Sequence, residues 1–181
     1  MGGLAATPLL SAPARAGLPP LPAVKPPTPS FLRGEVRELA FEHLHTGETL
    51  KAAYWEGGRY VSDALAAVRH LMRDFRDGEE HDIDPLMLDI LTQLKGRLGT
   101  ESPFLVVSAY RSPETNALLA AQSANVAKKS YHLKGKAVDV RVDDRALRSL
   151  RDVALNLAAG GVGYYPNSNF VHIDSGPVRS W

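Results

Sequence analysis

The sequence predicts an α+β fold, a small and mainly antiparallel sheet with helices packed on one side, and three observations carry that expectation. Residues 36–55 alternate apolar and polar side chains on either side of a Thr46-Gly47-Glu48 turn, the pattern of a β-hairpin. Two later stretches, 61–75 and 84–98, place apolar residues at helical spacing. Short apolar runs rich in Val then recur at 104–107, 137–142 and 170–174, each the length of one strand. With 181 residues, 44% hydrophobic and 23% charged, the chain has material for one domain of about 150 residues with a proper core.

In the hairpin, Leu39, Phe41 and His43 alternate with Glu38, Ala40 and Glu42, and Leu50, Ala52 and Tyr54 return. His43 and His45 therefore share a face, either as ordinary strand residues or as a second pair for metal or substrate. Val61, Ala64, Leu65, Val68, Leu71, Met72 and Phe75 form the apolar stripe of a helix whose Arg69, Arg73 and Asp74 lie mostly opposite. His81, in an acidic loop, reads as a local hydrogen-bonding residue. Asp84-Pro85 opens a second helix with a cap and a first-turn proline, and Leu91, Leu94 and Leu98 carry it to Gly99.

Residues 104–107 form a continuous apolar run, as a buried central strand does. The loop that leaves it, Ser108-Ala-Tyr110-Arg111-Ser112-Pro113, ends where Ser112 caps a further helix, so Tyr110 and Arg111 are held in fixed positions suited to anchoring a ligand. Residues 123–130 are polar, with Lys128 and Lys129 at their end. Asp144 is the expected cap of a last helix containing Leu147, Leu150, Val153, Ala154 and Leu157, which Gly160-Gly161 stops. Residues 162–174 supply two strands around a Tyr-Pro turn, and 176–181 form a tail whose Trp181 packs back on the domain.

The first thirty residues differ in composition from the rest. Residues 1–16 are apolar and small, and they end in Ala14-Arg15-Ala16, which resembles the cleavage end of a secretory signal lacking its basic start. Residues 18–30 are rich in proline and read as an extended tether. The expected organisation is thus a signal remnant and tether over 1–30, an exported chain, and a folded domain over 31–181. No apolar run reaches the eighteen or so residues that cross a membrane.

A formal net charge of +1 argues against a phosphate-seeking surface, and so against nucleic acid as a partner. The absence of cysteine removes disulfides, thiolate metal sites and cysteine nucleophiles, so any metal must be held by His and carboxylates. His132, Asp139 and His172 make such a set, two imidazoles and one carboxylate, the ligand mix of a zinc site that keeps its fourth position open. If strands 137–142 and 170–174 are neighbours, Asp139 and His172 share a face and His132 reaches in from the preceding loop, which Gly135 lets turn back on itself.

The motifs Ser130-x-His132-x-x-Gly135-x-Ala137-x-Asp139, Gly161-Val-Gly-Tyr-Tyr-Pro166 and Phe170-Val-His172-x-Asp174 resemble the murein endopeptidase K-like branch of the zinc DD-peptidase superfamily. Its wider kin include D-Ala-D-Ala carboxypeptidases and the hedgehog signalling domain. The resemblance runs from about residue 32 to residue 181. It implies one zinc per chain on His132, Asp139 and His172, and hydrolysis of amide bonds in peptidoglycan stem-peptide cross-links, which places the chain in the periplasm. The alternatives are a D-Ala-D-Ala carboxypeptidase and a non-catalytic zinc module that binds cell-wall peptide.

Arg111 has the fork geometry that grips a carboxylate through two parallel hydrogen bonds, and the resemblance implies an arginine here that meets substrate or the developing oxyanion. Tyr110 is the second substrate-binding candidate. Some relatives carry a glutamate three residues before the last zinc histidine and others a histidine two before it; here Asn169 and Phe170 stand there. Asp174, two residues after His172 on the same strand, faces the same way and is the candidate general base, with orientation of a ligand as its other possible role.

Overall fold

The computed structural model describes residues 35–122, 127 and 129–181. The signal remnant and tether expected over 1–30 lie outside the described residues, as does most of the polar stretch 123–130. Strands β1 (Arg37–His43) and β2 (Thr49–Glu56) form the expected hairpin, with Leu39, Phe41 and His43 buried. The short β3 (Arg59–Tyr60) pairs with the end of β2, and helices α1 (Ser62–Leu71) and α2 (Pro85–Leu98) follow. Asp84 caps α2 as its sequence demands, its Oδ1 accepting from Leu86 N at 3.1 Å, and Gly99 closes the helix in the left-handed conformation at φ 62°.

The buried β4 (Phe104–Ser108) leads to α3 (Pro113–Gln122), where Ser112 Oγ accepts from Thr115 N at 3.1 Å. After β5 (Ala137–Arg141), α4 (Leu147–Leu157) departs from expectation at both ends. Ala146, which has no side chain to cap with, is its N-cap in place of Asp144, whose two carboxylate oxygens instead accept from Thr100 Oγ1, at 2.7 and 2.8 Å, which ties the approach to α4 to the loop after α2. The stop falls at Ala158, in the left-handed region, ahead of Gly160-Gly161. Strands β6 (Gly161–Tyr165), β7 (Phe170–Asp174) and β8 (Arg179–Ser180) complete the chain.

The sheet corrects the expectation of a small, mainly antiparallel one. Among the described residues it has eight strands in the order β3-β2-β1-β4-β5-β7-β6-β8, and it is mixed. β1 runs parallel to β4, and β6 parallel to β8. Parallel neighbours need a long crossover, and the chain between β2 and β4 supplies one through α1 and α2. Side-chain alternation reports which face a residue occupies but not which way its neighbour runs, so the pattern in the sequence left direction open.

Helix α1 packs on β2, α2 on β1 and α4, and α4 on β6 and β7. Val138, Val140, Val171 and Ile173 point into the apolar core that these helices share. By the two-residue repeat of a strand, Asp139, His172 and Asp174 occupy the opposite face. The loop into β5 turns at Gly135, whose φ is +59° and whose Cβ position is filled by the Asp82 carbonyl oxygen. Gly135→Ala is therefore expected to destabilise the fold by more than about 1 kcal/mol, measured by denaturant unfolding; an unchanged midpoint would show that this turn relaxes freely.

Candidate metal centre

β5 and β7 are antiparallel neighbours in a register that sets Asp139 directly opposite His172, so the two side chains stand together on one face. His132 arrives from a 3₁₀ turn, His132–Lys134. Its Nδ1 meets the carbonyl oxygen of Ala109, which only accepts, so Nδ1 is the protonated nitrogen and Nε2 carries the lone pair. On His172 the roles of the ring nitrogens are reversed. Nε2 donates to Asp174 Oδ2 at 2.9 Å, so in the neutral ring, the form that binds a metal, the lone pair is on Nδ1.

The two lone pairs face each other, His132 Nε2 and His172 Nδ1 lying 3.2 Å apart. Asp139 Oδ1 is 2.9 Å from His172 Nδ1 and 3.3 Å from His132 Nε2. Three acceptor atoms this close repel one another unless a positive charge joins them. A tetrahedral zinc with bonds of about 2.0–2.1 Å separates its ligand atoms by roughly 3.3 Å, and neutral imidazole and carboxylate are ordinary zinc donors. The residues present fit that ion. All three are buried, and they are the group among the described residues arranged to hold a metal.

With no metal bound, a proton on His172 supplies the positive charge that the neighbouring carboxylates call for. Burial pulls the His172 pKa down, but the carboxylates of Asp139 and Asp174 on either side outweigh it and raise it to about 8. Burial pushes Asp139 up, yet His132 and His172 beside it hold the carboxyl well below the usual carboxylate range. The pocket is built to keep a carboxylate ionised and to gather positive charge around it.

Asp174 lies behind His172. It is fully buried, its Oδ1 accepting from Gly176 N at 2.8 Å, Arg179 Nη1 at 3.0 Å and Gly161 N at 3.2 Å, and its Oδ2 from Arg179 Nη2 at 2.6 Å besides His172. It touches the imidazole on the edge away from the cluster, with both oxygens engaged. From there its bond can orient the ring, the other role the sequence leaves open for it. Arg179 went unremarked in the sequence, where nothing about its spacing marks it as the partner of Asp174.

Arg111 is brought to the site by a tightly bonded loop. Tyr110 N donates to Met72 O at 3.0 Å, Ser112 N to Asp74 Oδ2 at 3.0 Å, and Arg111 N to the carbonyl of His132 at 3.3 Å. Arg111 is 9% exposed, its Nη2 sits 3.9 Å from Asp139 Oδ2, and its buried Nε has no hydrogen-bond partner among the described residues. Tyr110 turns away. Its hydroxyl donates to Glu79 at 2.8 Å and its ring stacks on His81, so it fastens the loop and does not line the cavity over the cluster. The stacked ring is also where His81 goes, in place of the local hydrogen bond expected for it.

His43 and His45 are engaged within the hairpin and against the segment that follows α1. His43 Nδ1 accepts from His45 N and Thr46 N at 3.2 and 3.3 Å, and the His45 ring stacks on Phe75. The cavity over the cluster measures about 360 Å³, with Arg111, Lys129 and Arg179 as its cationic lining and Tyr131, Tyr165, Phe170 and Trp181 as its aromatic lining.

Comparison with known proteins gives this geometry a family. The model of the family described as peptidoglycan L,D-endopeptidase MepK matches residues 32–181. The peptidoglycan L,D-endopeptidase MepK of Escherichia coli (strain K12) is 48% identical over 158 residues, covering 86% of this chain and 87% of that protein; the Shigella flexneri protein of the same name matches equally. A probable peptidoglycan L,D-endopeptidase MepK of Haemophilus influenzae is 40% identical over 146 residues, covering 80% of this chain and 78% of its own. With its His-Asp-His cluster on adjacent strands and a match over nearly its whole folded length, this chain belongs to the peptidoglycan L,D-endopeptidase MepK family, a metallopeptidase branch of the zinc DD-peptidase superfamily.

Proposed function

We propose that this chain is a zinc-dependent peptidoglycan endopeptidase that hydrolyses amide bonds in the cross-links between stem peptides, of the L,D type named for its relatives. The observation that carries the proposal is the cluster of three facing acceptor atoms, His132 Nε2, Asp139 Oδ1 and His172 Nδ1, opening into a cavity with three cationic side chains. When bound there, zinc supplies Lewis-acid polarisation of the amide carbonyl and makes water acidic enough to attack near neutral pH.

The chain's own residues do the rest. Ala109 fixes the tautomer of His132, and Asp174, itself clamped by Arg179, fixes that of His172. Arg111, which lines the cavity with its Nη2 3.9 Å from Asp139 Oδ2, suits a substrate carboxylate or the negative charge that develops on the amide oxygen. Arg111→Ala is expected to raise KM or lower kcat/KM by about 10- to 100-fold with zinc content unchanged. An unaltered rate would remove Arg111 from substrate handling.

The bonds of Asp174 support orientation of His172 over proton transfer, and Asp139 is the one carboxylate among the described cavity residues. The proposed substrate places the protein where peptidoglycan is, and the composition of residues 1–16 supports export. Among the described residues no helix is long and apolar enough to cross a membrane.

Digestion of purified cross-linked peptidoglycan, with fragments identified by mass spectrometry and His172→Ala as control, tests the proposal. Uncross-linked fragments absent from the control are the expected result. Release of terminal D-Ala alone would replace the endopeptidase by a carboxypeptidase, and intact substrate with a full zinc site would leave a binding module.

A further inference from the structure

Trp181 lines the cavity over the metal cluster, and the hydrolytic account so far gives it no task. It is held with care. Tyr164 N donates to the Trp181 carbonyl at 3.1 Å and Trp181 N to that of Val162 at 3.3 Å, continuing the parallel ladder of β8 on β6. The indole N–H donates to the Tyr165 hydroxyl at 2.7 Å, the Arg179 guanidinium lies over the ring 5.0 Å from its centroid, and the His172 ring is 5.2 Å away, centroid to centroid.

Space has been left for the ring. A Cβ on Gly163 would come within 2.8–2.9 Å of three indole atoms, so only glycine at this position allows the ring to lie against β6. Yet Trp181 stays 52% exposed. A rigid indole left half open beside a metal cluster is the hydrophobic part of a binding site, since it offers large contact area with little conformational freedom to lose. Phe170 and Tyr165, stacked 4.7 Å apart, extend the aromatic wall. Arg111 and Lys129 line the same cavity with positive charge. The cavity thus suits a ligand that carries carboxylate and hydrocarbon together.

Resting on the function proposed above, we propose that Trp181 is a substrate-positioning residue: its open surface packs against the aliphatic side chain of an anionic stem-peptide residue, a diamino diacid, while cationic side chains take the carboxylate. The indole sets the approach of the scissile amide to the cluster. The atoms nearest a methyl on Gly163 all belong to Trp181, so Gly163→Ala displaces the ring without removing it, and zinc content reports any effect on His172, which pairs opposite Gly163.

The test compares wild type with Trp181→Ala, Trp181→Phe and Gly163→Ala on a soluble cross-linked muropeptide, reading KM, kcat, zinc content and melting temperature. Separately, in a Trp55→Phe background that leaves Trp181 as the sole tryptophan, its fluorescence is followed on titration with a soluble diaminopimelate-containing stem peptide. Trp181→Ala and Gly163→Ala are expected to raise KM about tenfold with kcat within about twofold and full zinc, and Trp181→Phe to restore most of the loss. The peptide is expected to shift the emission. An unchanged KM in Trp181→Ala, or a loss that follows zinc content or melting temperature, would overturn the proposal, as would a silent Trp181 on saturation with peptide. A peptide-induced shift in the Trp55→Phe protein, with no cutting by wild type, would instead sink the hydrolytic reading and leave Trp181 as a peptide contact.

Discussion

His132→Ala is expected to abolish stoichiometric zinc binding and to cut hydrolysis at least about a thousandfold, since a catalytic metal supplies several kcal/mol of transition-state stabilisation and each 1.4 kcal/mol is tenfold. The change removes one of three donors and leaves Asp139 and His172, one fewer than the three protein ligands of a catalytic zinc site. It should not unfold the site. The turn around His132 is kept by backbone bonds that alanine retains, Arg111 N to the residue 132 carbonyl and Gly135 N to the same oxygen, both at 3.3 Å. Metal analysis and peptidoglycan digestion check this, with the melting temperature compared against metal-stripped wild type. Full zinc occupancy in the variant would take His132 out of the ligand set.

Asp174→Asn separates two roles for one carboxylate. If Asp174 orients His172, the amide weakens the bond that fixes the imidazole tautomer and leaves Arg179 without its ion-pair partner, so zinc affinity or activity falls about 10- to 100-fold. If Asp174 were the general base, the variant would keep wild-type zinc affinity and lose nearly all turnover. Competition against a chelator of known affinity, run beside the digestion assay, distinguishes the two. The charge state of Asp174 agrees with orientation: burial works against ionisation, but the bonds from His172 and Arg179 outweigh it and hold the carboxyl far below its ordinary range, where it is a poor proton acceptor.

Much of this site was legible in the sequence because its pieces are local. Asp84 before Pro85 and Ser112 before Pro113 announce helix caps by side-chain chemistry alone, and both make the expected bonds. His132, Asp139 and His172 could be read together because one strand repeat governs both β5 and β7, so adjacency was the single assumption needed. Where distant partners decide the outcome, the sequence was silent. Asp144 has the look of a cap but is engaged by Thr100, far away in sequence, and α4 starts without it. Tyr110 stands next to Arg111 in the loop, yet successive side chains leave in different directions, and Glu79 holds its hydroxyl outside the cavity. Trp181 was expected to pack back on the domain, but the parallel pairing on β6 that brings it and Arg179 to the site is announced by no local pattern.

The central claim is that His132, Asp139 and His172 hold one zinc that the reaction requires. It is tested most directly by stripping the purified protein with a chelator, measuring hydrolysis of cross-linked muropeptide, and adding zinc back in fractions of an equivalent. The account predicts no turnover in the stripped protein and recovery that rises linearly to a plateau at one zinc per chain, with none in His132→Ala. Turnover that survives metal removal, or a plateau that His132→Ala also reaches, would contradict it.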